Sequence, residues 1–207
     1  GFPGVRALPR DPRYLLEMAL MADGVAPAEI YVQLRTDAGK NRALIKIASI
    51  ARDVVWWTQP SEALALLADK KVAVALAFSG RAFTEIAGDL KPYRPIWDGQ
   101  VYDLDVWVAA KSSKFPVDAA AFIAFASSPE RLAEQARWFP YGPMRRSAVQ
   151  LVGNHAVLGV ALEPFLPTAP RNLVRALRFD DSFWTKEGAA VGTRLDAIVA
   201  LSRGSAG

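Results

Sequence analysis

Residues 54–87 constrain the fold more than any other stretch, because they switch three times between two periodicities. Val54-Val55-Trp56-Trp57-Thr58 is a compact β-branched and aromatic run, the composition of a strand. Ser61 to Asp69 follows with Leu64, Leu66 and Leu67 as the apolar residues of a short helix. Val72-Ala73-Val74-Ala75-Leu76-Ala77-Phe78 is wholly apolar, as expected of a strand covered on both faces, and Ser79-Gly80 ends it before a further helix from Arg81 to Ala87. Strand, helix, strand, helix at this spacing is the α/β pattern of a sheet with covering helices. In such sheets ligands sit beyond the carboxyl ends of the strands, which aims Thr58-Gln59 and Phe78-Ser79-Gly80 at a cleft.

The flanking segments read mostly as helix. Asp11-Pro12 is a helix start, with the carboxylate capping free amides and proline at the first helical position; Leu15, Leu16, Ala19, Leu20 and Ala22 form the buried face and Gly24 the stop. Pro27 to Leu34 is a connection, and Asp37 to Ala51 a helix with Leu44, Ile45, Ile47, Ala48 and Ala51 inward. Beyond residue 110, helices are expected over Val117–Ala126 (inward Ala120, Ala121, Ile123, Ala124), Arg131–Trp138, Pro170–Leu177, and from Asp180 or Asp181 to Ser202-Arg203-Gly204. Ser147 to Val152 reads as a helical turn, and His155 as a loop residue. Asp105 to Ala110 is the one clear strand of this half. That is too little sheet for so many helices, and it looks like part of a domain whose other strands lie elsewhere.

Ile96 to Ala110 carries the densest mixture of chemistry. Asp98, Asp103 and Asp105 lie among Trp97, Trp107 and Tyr102. Acids among aromatics are costly to bury unless a cation or a donor meets them, and an amine would also gain cation–π attraction. A solvated Asp98-Gly99 turn followed by an edge strand explains the same residues without a ligand. Asp103 and Asp105 could instead form a carboxylate pair of the glycosidase kind. Two residues apart on a strand, however, they project the same way rather than across a substrate.

Composition removes several classes. The 207 residues include no cysteine and one histidine, which excludes disulfides, thiol catalysis and multi-histidine metal sites. No cofactor is implied. The formal charge of +4 is spread over scattered basic residues, so no nucleic-acid footprint emerges. No apolar run is long enough to span a membrane, and Gly1-Phe2-Pro3-Gly4 does not read as a signal peptide.

In order and spacing, a set of short motifs resembles the carboxyl-terminal two-thirds of a bacterial extracytoplasmic solute-binding protein of the spermidine/putrescine-binding type. They are Arg10-Asp11-Pro12-Arg13-Tyr14 with Met18-Ala19-Leu20, Leu76-Ala77-Phe78-Ser79-Gly80, Val101-Tyr102-Asp103-Leu104-Asp105, Phe125-Ala126-Ser127-Ser128-Pro129-Glu130, Tyr141-Gly142-Pro143 and Asp180-Asp181-Ser182-Phe183-Trp184. The resemblance implies a type II periplasmic-binding-protein-like α/β fold. Residues 1–104 would be one complete lobe, and 105–207 the helical carboxyl-terminal part of the other. It implies a polyamine or related amine as ligand, held in an inter-lobe cleft and handed to the membrane permease of an ABC importer in the periplasm. By position, Asp11 and Asp105 would meet ligand amines, with Asp103 adjacent and Phe78 and Tyr102 as aromatic walls. Tyr14 stands where the family carries a second acid, Phe78 where tryptophan is usual, and Asp103 where an aromatic is often found. The family's amino-terminal segment has no counterpart here, so a truncated product dimerising through exposed apolar surface is expected. A sensing or interaction module on the same fold is the alternative, followed by a carboxylate-dependent enzyme.

Overall fold

The computed structural model describes residues 4–204; Gly1, Phe2 and Pro3, from the stretch that does not read as a signal peptide, lie outside the described residues. The chain forms two compact units, one of residues 4–78, 99–101 and 175–204 and one of residues 79–98 and 102–174.

The first unit is built on a strand that hydrophobic patterning does not reveal. β1 (Arg6–Pro9) is followed by α1 (Leu15–Ala22), α2 (Ile30–Leu34), α3 (Asp37–Ala48), β2 (Val54–Trp57), α4 (Pro60–Ala68) and β3 (Val74–Ala75). The sheet is parallel in the order β2-β1-β3, with Arg6 opposite both Val54 and Val74 and Pro9 opposite Trp57. Successive side chains alternate between its faces. Trp56 packs with Leu16, Leu20, Ile30 and Leu44 on one side, and Trp57 with Ala7, Ala63 and Val72 on the other. Both tryptophans of the expected strand are therefore core. β3 is shorter than the seven-residue apolar run, and Val74 to Ala77 are only half-buried. It is an edge strand, yet its run meets packing on both faces: Leu76 lies against the core that holds Trp56, and Ala75 and Ala77 against the one that holds Trp57.

α1 starts later than Asp11-Pro12 implies. Asp11 does not cap it, because Arg13 captures the Asp11 carboxylate; the cap position is Tyr14, at φ 69° and without a side-chain cap. Gly24 follows the helix at φ +86°, the stop its sequence position implies. Met21 takes the inward place expected of Ala22, which is exposed. On α3, Ala43, Leu44 and Ile47 face the core while Ile45 and Ala48 point outward. Thr36 caps that helix by accepting from Gly39 N–H at 3.0 Å. A Cβ on Gly39 would lie 2.0 Å from the Gln33 carbonyl oxygen, so only glycine lets α2 and α3 approach this closely.

The carboxyl-terminal segment completes this unit. β4 (Val101–Tyr102) pairs with β5 (Leu177–Arg178), and Leu177 N–H donates to the Gln100 carbonyl at 2.9 Å. The helix expected over Pro170–Leu177 shrinks to a single 3₁₀ turn, Pro170–Asn172. Asp181–Gly204, the last helix, buries Phe183, Trp184, Val191, Leu195 and Val199 against the α1–α3 core. Its polar face is tied by ion pairs of Asp196 with Arg10 (2.7 Å) and of Glu187 with Lys40 (2.7 Å). Leu201 is left 75% exposed.

In the second unit, α5 (Ser79–Phe83) runs into a π-helical turn over Thr84–Gly88, and α6 (Pro116–Ala126), α7 (Pro129–Trp138) and α8 (Arg146–Val149) follow; the last helix is α9 in this order. The core gathers Phe83, Ala87, Ala133, Ala136, Val152, Leu162, Leu166 and Ala169. His155 lies in a loop with a structural task. Its ring stacks on Phe83 at 5.2 Å, and its Nδ1 accepts from Val157 and Leu158 N–H. Ser128 caps α7 by accepting from Arg131 N–H.

Two expectations fail here. Asp105 to Ala110 is not a strand, and all of it is exposed, because no described strand pairs with it. Isolated strands lack the hydrogen bonds that define them. α6 buries no residue, so Ala120, Ala121 and Ala124 are not core.

The packing of α9 makes a paired prediction. Leu195→Ala removes a fully buried side chain and costs about 2–5 kcal/mol. Leu201→Ala six residues on stays within about 0.5 kcal/mol. Urea unfolding with unchanged m-values checks both; equal costs would mean that α9 is not seated on this core.

Candidate functional site

The carboxyl ends of β1 and β2 carry the first unit's most chemically loaded loop. Arg10 N–H donates to the Trp57 carbonyl at 2.8 Å, extending the parallel ladder one residue past Pro9. The chain then turns through Asp11, Pro12 and Arg13 into Tyr14. Asp11 Oδ1 accepts from the Arg13 N–H at 2.9 Å, and both its oxygens accept from Arg13 Nε at 3.0 Å, with Nη2 also donating to Oδ2. The carboxylate and this side-chain contact hold the Arg13 guanidinium above its ordinary pKa, burial opposing them. Neither partner is sequestered: the side chains of Arg13 and Asp11 are 56% and 36% exposed.

Tyr14 binds this loop to the aromatic residues. Its backbone lies in the left-handed region at φ 69°, which disfavours a side chain by about 1–2 kcal/mol. In return its ring meets Phe78 edge-on at 6.4 Å and Phe179 at 5.1 Å. Phe179 in turn stacks on Trp184, with an interplanar angle of 8°. Thr58 and Gln59 occupy the neighbouring β2–α4 turn, where Glu62 accepts from the Thr58 N–H at 3.0 Å. Asp11, Tyr14 and Phe78 thus belong to one end of one sheet.

Tyr102, Asp103 and Asp105 belong to the second unit. Tyr102 is half-buried, while Asp103 and Asp105 are exposed. Asp103 Oδ1 accepts from its neighbour Leu104 N–H at 2.7 Å, a local contact that settles the carboxylate without a ligand. Trp97, from the same acid-and-aromatic stretch, donates its Nε1 proton to the Pro164 carbonyl at 2.9 Å. Among the described residues no group of His, Cys, Asp and Glu side chains could hold a metal ion. No described helix is long and apolar enough to cross a membrane.

Two charged residues escaped the sequence reading. Arg13 was legible as an opposite charge two residues from Asp11 across a proline. Glu17 was legible as a lone acid inside Leu15-Leu16-Glu17-Met18-Ala19-Leu20. Glu17 is fully buried in the α1–α2–α9 core. Its Oε1 accepts from Tyr31 Oη at 2.7 Å and from Trp184 Nε1 at 2.6 Å, while Oε2 meets no donor among the described residues. Tyr31 Oη also accepts from Asp180 N–H at 2.9 Å. Burial raises the Glu17 carboxyl above the usual carboxylate range, against the lowering effect of the Tyr31 hydrogen bond. The Tyr31 phenol is raised as well, first by burial and then by the charge of Glu17.

This short parallel sheet, with helices on both faces and a charged, aromatic loop at its carboxyl edge, has the fold of ABC-transporter substrate-binding proteins of known structure. The chain matches an ABC transporter substrate-binding protein from Bradyrhizobium japonicum USDA 110 with a TM-score of 0.72 at 26% identity, covering 95% of this chain and 59% of that one. It matches the PBP AgtB of A. tumefaciens R10, solved with agropinic acid, with a TM-score of 0.65 at 27% identity, covering 95% and 58%. Residues 1–157 match the model of the bacterial extracellular solute-binding protein family, and the chain belongs to that family. It is also 33% identical over 199 residues to the gamma-aminobutyric acid-binding protein of Pseudomonas aeruginosa, covering 96% of this chain and 54% of that relative. The chain thus spans little more than half the length of each of these proteins.

The buried acid makes the stability of the first unit pH-dependent. The folded carboxyl sits above the ordinary value of 4.5, so its contribution is complete below that value and is lost as pH rises through the higher folded value. Glu17→Gln removes this titration. The melting temperature of the parent falls relative to the variant as pH climbs from 4.5 into the neutral range. Parallel profiles by thermal unfolding would show that Glu17 titrates as a solvated carboxyl.

Proposed function

We propose that this chain is the solute-recognising part of an ABC importer, acting in the periplasm and passing its ligand to a membrane permease. The ligand is a small organic amine, the class that includes the polyamines. The observation that carries this reading is a loop at the carboxyl end of a parallel sheet, the place where open α/β folds take their ligands, that holds the Asp11 carboxylate and, three residues on, the Tyr14 ring edge-on to Phe78. A carboxylate supplies the counter-charge for an ammonium group, and ring faces attract the same cation. Membership of the extracellular solute-binding family supports the transport role. A relative named for gamma-aminobutyric acid supports the ligand size and the presence of an amine.

The test is calorimetric titration of the purified chain with 1,4-diaminobutane, spermidine and 4-aminobutyrate. At least one is taken up, and Asp11→Asn weakens that uptake about tenfold or more, the loss of one charge-assisted contact, at an unchanged melting temperature. Uptake of none, or equal loss of binding and stability in Asp11→Asn, would overturn the reading.

A further inference from the structure

We propose that Arg13 is the residue that selects the solute, and that the Asp11–Arg13 pair recognises a molecule carrying a carboxylate as well as an amine. This rests on the amine site proposed above. Asp11 is already neutralised: both oxygens accept from Arg13, so a solute that offers only positive charge meets a satisfied carboxylate with a guanidinium beside it. A diamine gains nothing at Asp11 that Arg13 does not already supply, and it brings a second charge of the same sign as Arg13.

A zwitterionic solute changes that balance. Its ammonium group takes Asp11 while its carboxylate takes the guanidinium, so four charges alternate in sign and each group exchanges one partner for an equivalent one. Arg13 has the donors for this exchange: Nε and Nη2 engage Asp11, and Nη1 is unengaged among the described residues. The pair is solvent-accessible rather than locked in the core, so separating its members does not strand a charge away from water. The loop is nevertheless positioned. Arg10 is fixed to the Trp57 carbonyl on one side, and Tyr14 is held between Phe78 and Phe179 on the other. A guanidinium rather than an ammonium fits the task, because its planar fork matches a carboxylate in two parallel bonds.

Two four-carbon probes that differ only in one end test this, 4-aminobutyrate against 1,4-diaminobutane, titrated calorimetrically into the parent, Arg13→Gln and Arg13→Lys. The parent prefers 4-aminobutyrate by about tenfold or more. Arg13→Gln abolishes that preference by weakening the amino acid alone, leaving the diamine unchanged or tighter. Arg13→Lys restores part of it, and an unchanged circular dichroism spectrum and melting temperature establish that both variants are folded. A parent that prefers the diamine, or a preference that survives in Arg13→Gln, overturns the role of Arg13 and leaves the amine site standing. If the parent binds neither probe, the amine site and this inference fall together.

Discussion

The first unit depends on one four-residue strand being hydrogen-bonded on both sides. β1 lies between β2 and β3, so the sheet exists only because Arg6–Pro9 is extended in the right register. From that register the rest follows. Leu8 and Trp56 face the α1–α3 core, Ala7 and Trp57 face α4, and the chain leaves the sheet at Arg10 in the direction of Asp11 and Tyr14. A register shift of one residue would exchange the two faces and put the tryptophans in each other's environment. The proposed binding loop is thus a continuation of the central strand.

Much of the helical framework was legible in the sequence, because helix periodicity over ten or more residues leaves few alternatives. The last helix, with Phe183, Val191 and Leu195 inward, and α7, with its serine cap and following proline, are examples. β1 was not legible, since four residues that begin with arginine and end with proline carry no period; pairing on both sides makes them a strand. The opposite error occurred at Asp105 to Ala110, where an alternating pattern reads as a strand but no described strand pairs with it. Sheets are made by partners, and a single-sequence pattern sees only one of them.

The candidate site was partly legible for a related reason. Asp11, Tyr14 and Phe78 were marked by position and type. The ion pair that changes what Asp11 offers is local, its members two residues apart across a proline; their charges were legible, whereas the turn that brings them into contact was not. At Asp103 and Asp105 the sequence allowed both a ligand site and a solvated stretch. There the carboxylates face solvent, as the solvated reading has it, so no burial cost calls for a partner.

Glu17 carries a consequence for calorimetry. A carboxyl that holds its proton more tightly when folded than when unfolded makes folding in mildly acidic solution a proton-consuming reaction. That proton comes from the buffer, so the heat measured on unfolding includes the buffer's own heat of ionisation. Acetate, which ionises almost without heat, and an amine buffer, which does not, would return different apparent enthalpies for the same structural change.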